Sequence, residues 1–148
     1  MNNSVHFSGA SDEWATPQDF FDKLNAEFGF TVDVCATAGN AKCKLFYSLE
    51  DNGLARNWGQ SKCWMNPPYS QLKAWMAKAA DAAKHGATVV CLIPSRTDTK
   101  AWHEYIWDQE SHSSRFRVSI RFIKGRLKFG GSKNSAPFPS AVVIFKPH

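Results

Sequence analysis

The chain has 148 residues, 43% of them hydrophobic, and a formal net charge of +5. That length supports one domain around a single core and is too short for a catalytic domain joined to a separate DNA-reading domain. No apolar run approaches a bilayer-spanning helix, the amino terminus lacks the basic and apolar regions of a secretory signal, which points to the cytoplasm, and the basic excess suits a polyanionic partner.

Residues 1–13 are polar with little apolar patterning and read as a flexible arm, with residues 14–148 as one domain. Thr16-Pro17-Gln18-Asp19 sets a capping residue before a proline and an acid, and Phe20, Phe21, Leu24 and Phe28 recur at helical spacing until Gly29. Phe30 to Ala36 reads as the first strand, with Asp33 near its carboxyl end, where ligands gather in open α/β sheets. Lys44-Leu45-Phe46-Tyr47 is a second short extended stretch, and Glu50-Asp51-Asn52-Gly53 is a turn whose Asp51 reads, by itself, as a solvated carboxylate. The four cysteines (Cys35, Cys43, Cys63, Cys91) form no C-x-x-C pattern, which favours thiols over zinc ligands or disulfides, and no metal is expected.

Ser61 to Met65 is a strand that delivers Asn66-Pro67-Pro68-Tyr69. Consecutive prolines fix the backbone and remove two donors, so this turn presents carbonyl oxygens and the Asn66 amide in a set direction. An amide oxygen, a proline carbonyl and an aromatic ring suit a planar substrate with an amino group: the ring stacks on it while the oxygens accept its N–H bonds. Ser70 is placed to cap a helix with Leu72, Trp75, Met76, Ala79 and Ala83 on one side, ended by Gly86. Ala87 to Ile93 is a continuous apolar run stopped by Pro94, the pattern of a central strand, and strand, helix and strand in this order make a parallel crossover.

Arg96 follows at the same edge of the sheet, set either to reach a phosphate or to pair with an acid such as Asp98. Ala101, Trp102, Tyr105 and Ile106 then mark one side of a helix. Arg115 to Phe122 alternates strictly and predicts a strand with Arg115, Arg117 and Arg121 on one face, and Lys124, Arg126, Lys128 and Lys133 extend the basic run. Such a face either protects a sheet edge or tracks phosphates. Ser140 to Phe145 is the final strand.

Asn66-Pro67-Pro68-Tyr69, after an apolar strand and before a helix, resembles the catalytic motif of S-adenosylmethionine-dependent amino-methyltransferases, above all the DNA N6-adenine methyltransferases. Trp14-Ala15-Thr16-Pro17-Gln18-Asp19-Phe20-Phe21, Asp33-Val34-Cys35-Ala36, Gly125 to Phe129 and Ala136 to Ser140 are similar to the phage-type enzymes of the Dam type, so the resemblance runs from Trp14 to Pro147. It implies an α/β fold: a compact Rossmann-like methyltransferase sheet, mostly parallel, with an antiparallel C-terminal strand and no separate target-recognition domain. It implies S-adenosylmethionine as methyl donor, held by Trp14, Thr16, Pro17, Asp33, Cys35, Ala36 and Asp51, with Asn66, Pro67, Pro68 and Tyr69 as the catalytic turn. DNA is the implied partner, with the adenine extruded from the duplex and Arg96, Arg115, Arg117, Arg121, Lys124, Arg126, Lys128 and Lys133 as candidate contacts. In this family a threonine such as Thr16 helps hold the cofactor carboxylate; its other reading is a plain helix cap.

The chain departs from the family pattern at two points. Asp33 to Asn40 contains one glycine where a glycine-rich turn is usual, and no residue clearly matches the acid that holds the cofactor ribose. Those departures keep open a degenerate fold that binds nucleic acid without turnover, and the same tetrad also serves enzymes acting on RNA or on protein glutamine. Guarding a genome against restriction in a bacterial host is the role the family suggests.

Overall fold

The computed structural model describes residues 14–130 and 135–148; the proposed arm at residues 1–13 and Lys133 lie outside them. Helix α1 (Gln18–Phe28) precedes strand β1 (Val32–Asp33), and strand β2 (Lys62–Met65) leads through a 3-10 turn at Tyr69–Gln71 into helix α2 (Leu72–Lys84). Strand β3 (Thr88–Pro94), helix α3 (Lys100–Tyr105), the short strands β4 (Trp107–Asp108) and β5 (Ser113–Ser114), and strands β6 (Val118–Phe122) and β7 (Ser140–Phe145) complete the order. The main sheet runs β1-β2-β3-β7-β6, and β4 with β5 forms a separate antiparallel ribbon. β1, β2 and β3 pair in parallel, whereas β7 is antiparallel to both β3 and β6.

β3 and β7 are buried along their whole length and form the spine of the core, as their unbroken apolar runs require. Successive residues of β2 point to opposite faces. Trp64 meets Phe21 of α1, ring centroids 5.3 Å apart, while Cys63 feels the charge of Lys78 on α2. The two helices therefore cover opposite sides of β2. The apolar side of α2 (Leu72, Trp75, Met76, Ala79, Ala83) is the buried one, and α1 ends at Gly29, whose φ of 67° is the left-handed geometry of a glycine cap.

Several local expectations are corrected. Thr16 does not cap α1: the flanking residue is Pro17, without a side-chain cap bond, and the Thr16 hydroxyl is engaged elsewhere. Ser70 sits inside the 3-10 turn, and the residue that flanks α2 is Gln71. Lys44 to Tyr47 makes a single bridge, Asp33 to Phe46, in which Asp33 N–H donates to the Leu45 carbonyl and Tyr47 N–H to the Asp33 carbonyl, with Ala36 N–H donating to the Tyr47 carbonyl beyond it. The alternation from Arg115 to Phe122 yields a strand only from Val118. Arg117 takes a positive φ of 62°, and a turn closed by Val118 N–H donating to Arg115 breaks the run. No described helix is long and apolar enough to cross a membrane.

The loop between β1 and β2 is clamped to the sheet at Gly53. A Cβ there would stand 2.2 Å from the Val34 carbonyl oxygen and 3.2 Å from the Trp75 ring, and the Gly53 carbonyl accepts from Trp58 Nε1 at 2.9 Å. Gly53→Ala is therefore expected to lower unfolding stability by about 1–3 kcal/mol through overpacking. A urea midpoint unchanged from the wild chain would show that the loop yields.

Candidate active site

Parallel register brings two chemistry-bearing strand ends together. Asp33 is opposite Trp64 and Met65 opposite Cys91, so the carboxyl ends of β1, β2 and β3 share one edge, with Asn66 two residues beyond the Asp33 level. The segment before α1 folds across this edge and is pinned by Gly130 N–H, which donates to the Ala15 carbonyl at 2.7 Å. Trp14 packs edge-on against Phe129 and Phe138, with centroids 5.5 and 5.2 Å away. Between these elements lies a cleft of about 310 Å³, near the lower end of the roughly 300–1,000 Å³ range of small-molecule sites.

Asn66 stands in the lining of this cleft. Its Nδ2 donates to the Trp14 carbonyl at 2.5 Å and to Thr16 Oγ1 at 3.0 Å, and its Oδ1 accepts from the Tyr69 hydroxyl at 3.1 Å. A backbone carbonyl only accepts, so the orientation of the Asn66 amide is unambiguous. One further acceptor direction remains on Oδ1. Tyr69 is 5% exposed and its ring meets Phe138 edge-on at 5.5 Å, so the ring expected as an open stacking surface is packed in the core. Burial pushes its hydroxyl pKa up, which keeps the group a donor, and the charge of Arg96 nearby offsets part of that push.

Asp33 also lines the cleft, and its carboxyl accepts from Lys42 N–H at 3.0 Å and Cys35 N–H at 3.3 Å. It is 2% exposed, and burial, only partly opposed by those two bonds, raises its pKa from 3.8 to about 6. Of the remaining cofactor candidates, Trp14, Thr16, Cys35 and Ala36 line the cleft, whereas Pro17 and Asp51 do not. The Asp51 carboxylate instead accepts from the backbone and hydroxyl of Ser48 and faces Arg56 at 3.8 Å, a staple that shapes the loop. Sequence reasoning missed Tyr47, Leu49, Asn52, Leu54, Trp64 and Trp75 as wall residues; apolar side chains at irregular spacing carry no pattern that separates wall from core.

The wall chemistry fits S-adenosylmethionine, the methyl donor implied by the sequence resemblance. The cleft offers a carboxyl for an ammonium group, the Thr16 hydroxyl for a carboxylate, and apolar rings for a purine. Trp14 and Trp75 each carry a buried indole N–H without an acceptor among the described residues, and such donors cost about 1–3 kcal/mol unless a partner arrives.

The arginines of the basic third are spread over separate internal tasks. Arg115 donates through Nε and Nη2 to the His103 carbonyl, Arg117 donates twice to the Pro147 carbonyl, and Arg121 forms a two-point pair with Glu27 at 2.8 and 2.6 Å while lying over the Phe28 ring. That pair holds the Glu27 carboxyl below its usual range. Arg96, Lys124, Arg126 and Lys128 are exposed and have no side-chain partner among the described residues.

A model of the family described as DNA N-6-adenine-methyltransferase (Dam) matches residues 4–148. The DNA N-6-adenine-methyltransferase of Escherichia phage T1 is 37% identical over 128 residues, which cover 80% of this chain and 53% of that protein. The protein of the same description from Haemophilus phage HP1 (strain HP1c1) is 31% identical over 150 aligned positions, 99% of this chain and 86% of its own. The putative methyltransferase YfdM of Escherichia coli K12 is 38% identical over 65 residues, 39% of this chain and 71% of its own. The chain thus spans about half the length of the phage T1 protein and most of the phage HP1 protein.

The buried Asp33 makes a testable demand on stability. Its folded-state pKa stands above the ordinary value, so the folded chain binds that proton more tightly. The group is neutral in its effect below about pH 4 and costs stability increasingly as pH rises to about 6. Asp33→Asn should therefore gain on the wild chain between pH 4 and 6 in urea unfolding, with a constant difference above. A difference independent of pH would mean that Asp33 is solvated.

Proposed function

The chain belongs to the DNA N-6-adenine-methyltransferase (Dam) family, and from that premise we propose that it transfers a methyl group from S-adenosylmethionine to the N6 amino group of adenine in DNA. The observation that carries this reading is the three-point hold on Asn66 in the lining of a cleft that Asp33 also lines. The fold that accompanies the reading is a compact methyltransferase sheet with its carboxyl edge as the working edge.

When bound, S-adenosylmethionine would supply an electrophilic methyl group to the exocyclic nitrogen of adenine, its sulfur leaving as the neutral thioether and one N6 proton passing to solvent. That nitrogen is a weak nucleophile because its lone pair is delocalised into the ring. Asn66 Oδ1 and the Pro67 carbonyl accept its two N–H bonds, which favours a pyramidal nitrogen and stabilises the charge that grows on it. Thr16 and Asp33 hold the ends of the donor's amino-acid moiety, and the apolar walls formed by Leu54, Trp64 and Trp75 exclude water. Fixing both reactants in line contributes on the order of 7–11 kcal/mol. A base inside a duplex cannot reach this turn, so it is extruded at a cost of a few kcal/mol. Tyr69 serves through its hydroxyl, which braces Asn66; stacking on its ring requires Phe138 to shift.

DNA phosphates are held by Arg96, Lys124, Arg126 and Lys128. These are exposed cations without internal partners, and Arg96 stands beside Tyr69. Neutralising the four together should reduce the slope of log affinity against log salt by about 0.9 for each phosphate that is no longer paired with a cation. Neutralising Arg115, Arg117 and Arg121 should leave the slope unchanged. The opposite ranking would return the phosphate track to β6.

Labelled methyl transfer to DNA, RNA and cell protein, assayed in parallel, tests the substrate. The expected product is N6-methyladenine in DNA. Asn66→Ala should lower turnover by at least about a thousandfold, the scale of a missing transition-state acceptor, while calorimetry still detects S-adenosylmethionine binding. Methyl transfer confined to RNA or protein, or near-normal turnover by Asn66→Ala, would overturn the assignment.

A further inference from the structure

Building on the reading of Asn66 as the acceptor for the adenine amino group, we propose that Thr16 is a positioning residue that reinforces the Asn66 amide orientation selected by the Trp14 carbonyl and couples it to occupancy of the cleft by the cofactor. A side-chain amide has two nearly isosteric ends. Rotated by half a turn, Asn66 would present the donor Nδ2 where the donors of adenine N6 arrive, and the site would repel its substrate.

The bonds that prevent this are unequal. The Trp14 carbonyl can only accept, so it selects Nδ2; the hydroxyls of Thr16 and Tyr69 each donate or accept and follow that choice. With Thr16 Oγ1 accepting from Nδ2, its own proton is directed elsewhere. Thr16 is 4% exposed, lines the cleft, and makes no cap bond to α1, so the hydroxyl has no competing structural task. A carboxylate in the cleft is the natural acceptor for that proton. Once the proton is drawn to a carboxylate, Oγ1 can only accept on the Asn66 side, and the orientation of the amide is reinforced before a base enters. The same hydroxyl therefore reads the methyl donor and steadies the acceptor that the Trp14 carbonyl has set.

Thr16→Val removes the hydroxyl at constant volume, and Thr16→Ser keeps it. In single-turnover methyl transfer to an adenine-containing duplex, Thr16→Val should remain about 10–100-fold slow even with S-adenosylmethionine far above its dissociation constant, and Thr16→Ser should return to within about threefold of the wild chain. Calorimetry reports the loss of cofactor affinity separately. A second measurement uses the wild chain itself: the side-chain amide protons of Asn66, assigned by their absence in Asn66→Asp, should exchange more slowly when S-adenosylmethionine is added, by about threefold or more. If saturating S-adenosylmethionine restores the Thr16→Val rate, or if the Asn66 amide does not respond to it, Thr16 is a cofactor contact only and the proposal is overturned. If the wild chain leaves DNA unmethylated, the functional reading fails, and the amide exchange still decides whether the coupling exists.

Discussion

The arrangement at the carboxyl edge of the sheet depends on one hydrogen bond, from Asn66 Nδ2 to the Trp14 carbonyl. It joins residues 52 positions apart and decides which end of the Asn66 amide keeps an open acceptor direction. A hydroxyl in that position would leave the choice open, because it serves both roles. The Trp14 carbonyl is itself held in place: the ring of Trp14 is lodged between Phe129 and Phe138, and Ala15 accepts from Gly130. Phe138 also backs Tyr69. One aromatic cluster therefore supports both sides of Asn66, which explains why the region between β6 and β7, remote in sequence from the tetrad, belongs to the site.

The register of the parallel strands supplies the second requirement. Pairing of Asp33 with Trp64 puts a carboxyl and the start of the tetrad on one edge, in the lining of a single cleft. The loop from Cys35 to Trp58 then closes the wall. It is short of glycine, and the one glycine it needs for close approach, Gly53, sits against Val34 and Trp75. In place of a glycine-rich turn, the chain after β1 is held by Ala36 N–H, which donates to the Tyr47 carbonyl, and the Asp33 carboxyl is organised by two backbone N–H groups.

What was legible followed from local rules. The helix stop at Gly29, the buried β3 and β7, the apolar side of α2 and the position of the tetrad between strand and helix each depend on a few neighbouring residues. What was not legible depends on residues distant in sequence. Thr16 has every mark of a helix cap, and only the fold reveals that its hydroxyl is taken by Asn66. Asp51 carries the charge of a ligand and is held by Ser48, three residues away, in a loop whose course no pattern encodes. The alternation from Arg115 to Phe122 is real, yet a left-handed Arg117 breaks it, a conformation propensity does not anticipate for that residue.

The same distinction governs the basic charge. Counted along the chain, the last third looks like a continuous phosphate track, but a guanidinium with five fork-like donors is also well suited to hold backbone carbonyls and carboxylates. Arg115 ties the chain after β5 to α3 through the His103 carbonyl, Arg117 ties the approach to β6 to the carboxyl terminus, and Arg121 bridges to α1 through Glu27. Their charges sit on the flank defined by β6, the far edge of the sheet from β1. Arg96 leaves the end of β3, and Lys124, Arg126 and Lys128 belong to the segment that reaches Trp14 through Phe129. A polyanion meets unspent charge first, so the useful quantity is the set of cations without side-chain partners among the described residues rather than the net charge of the chain.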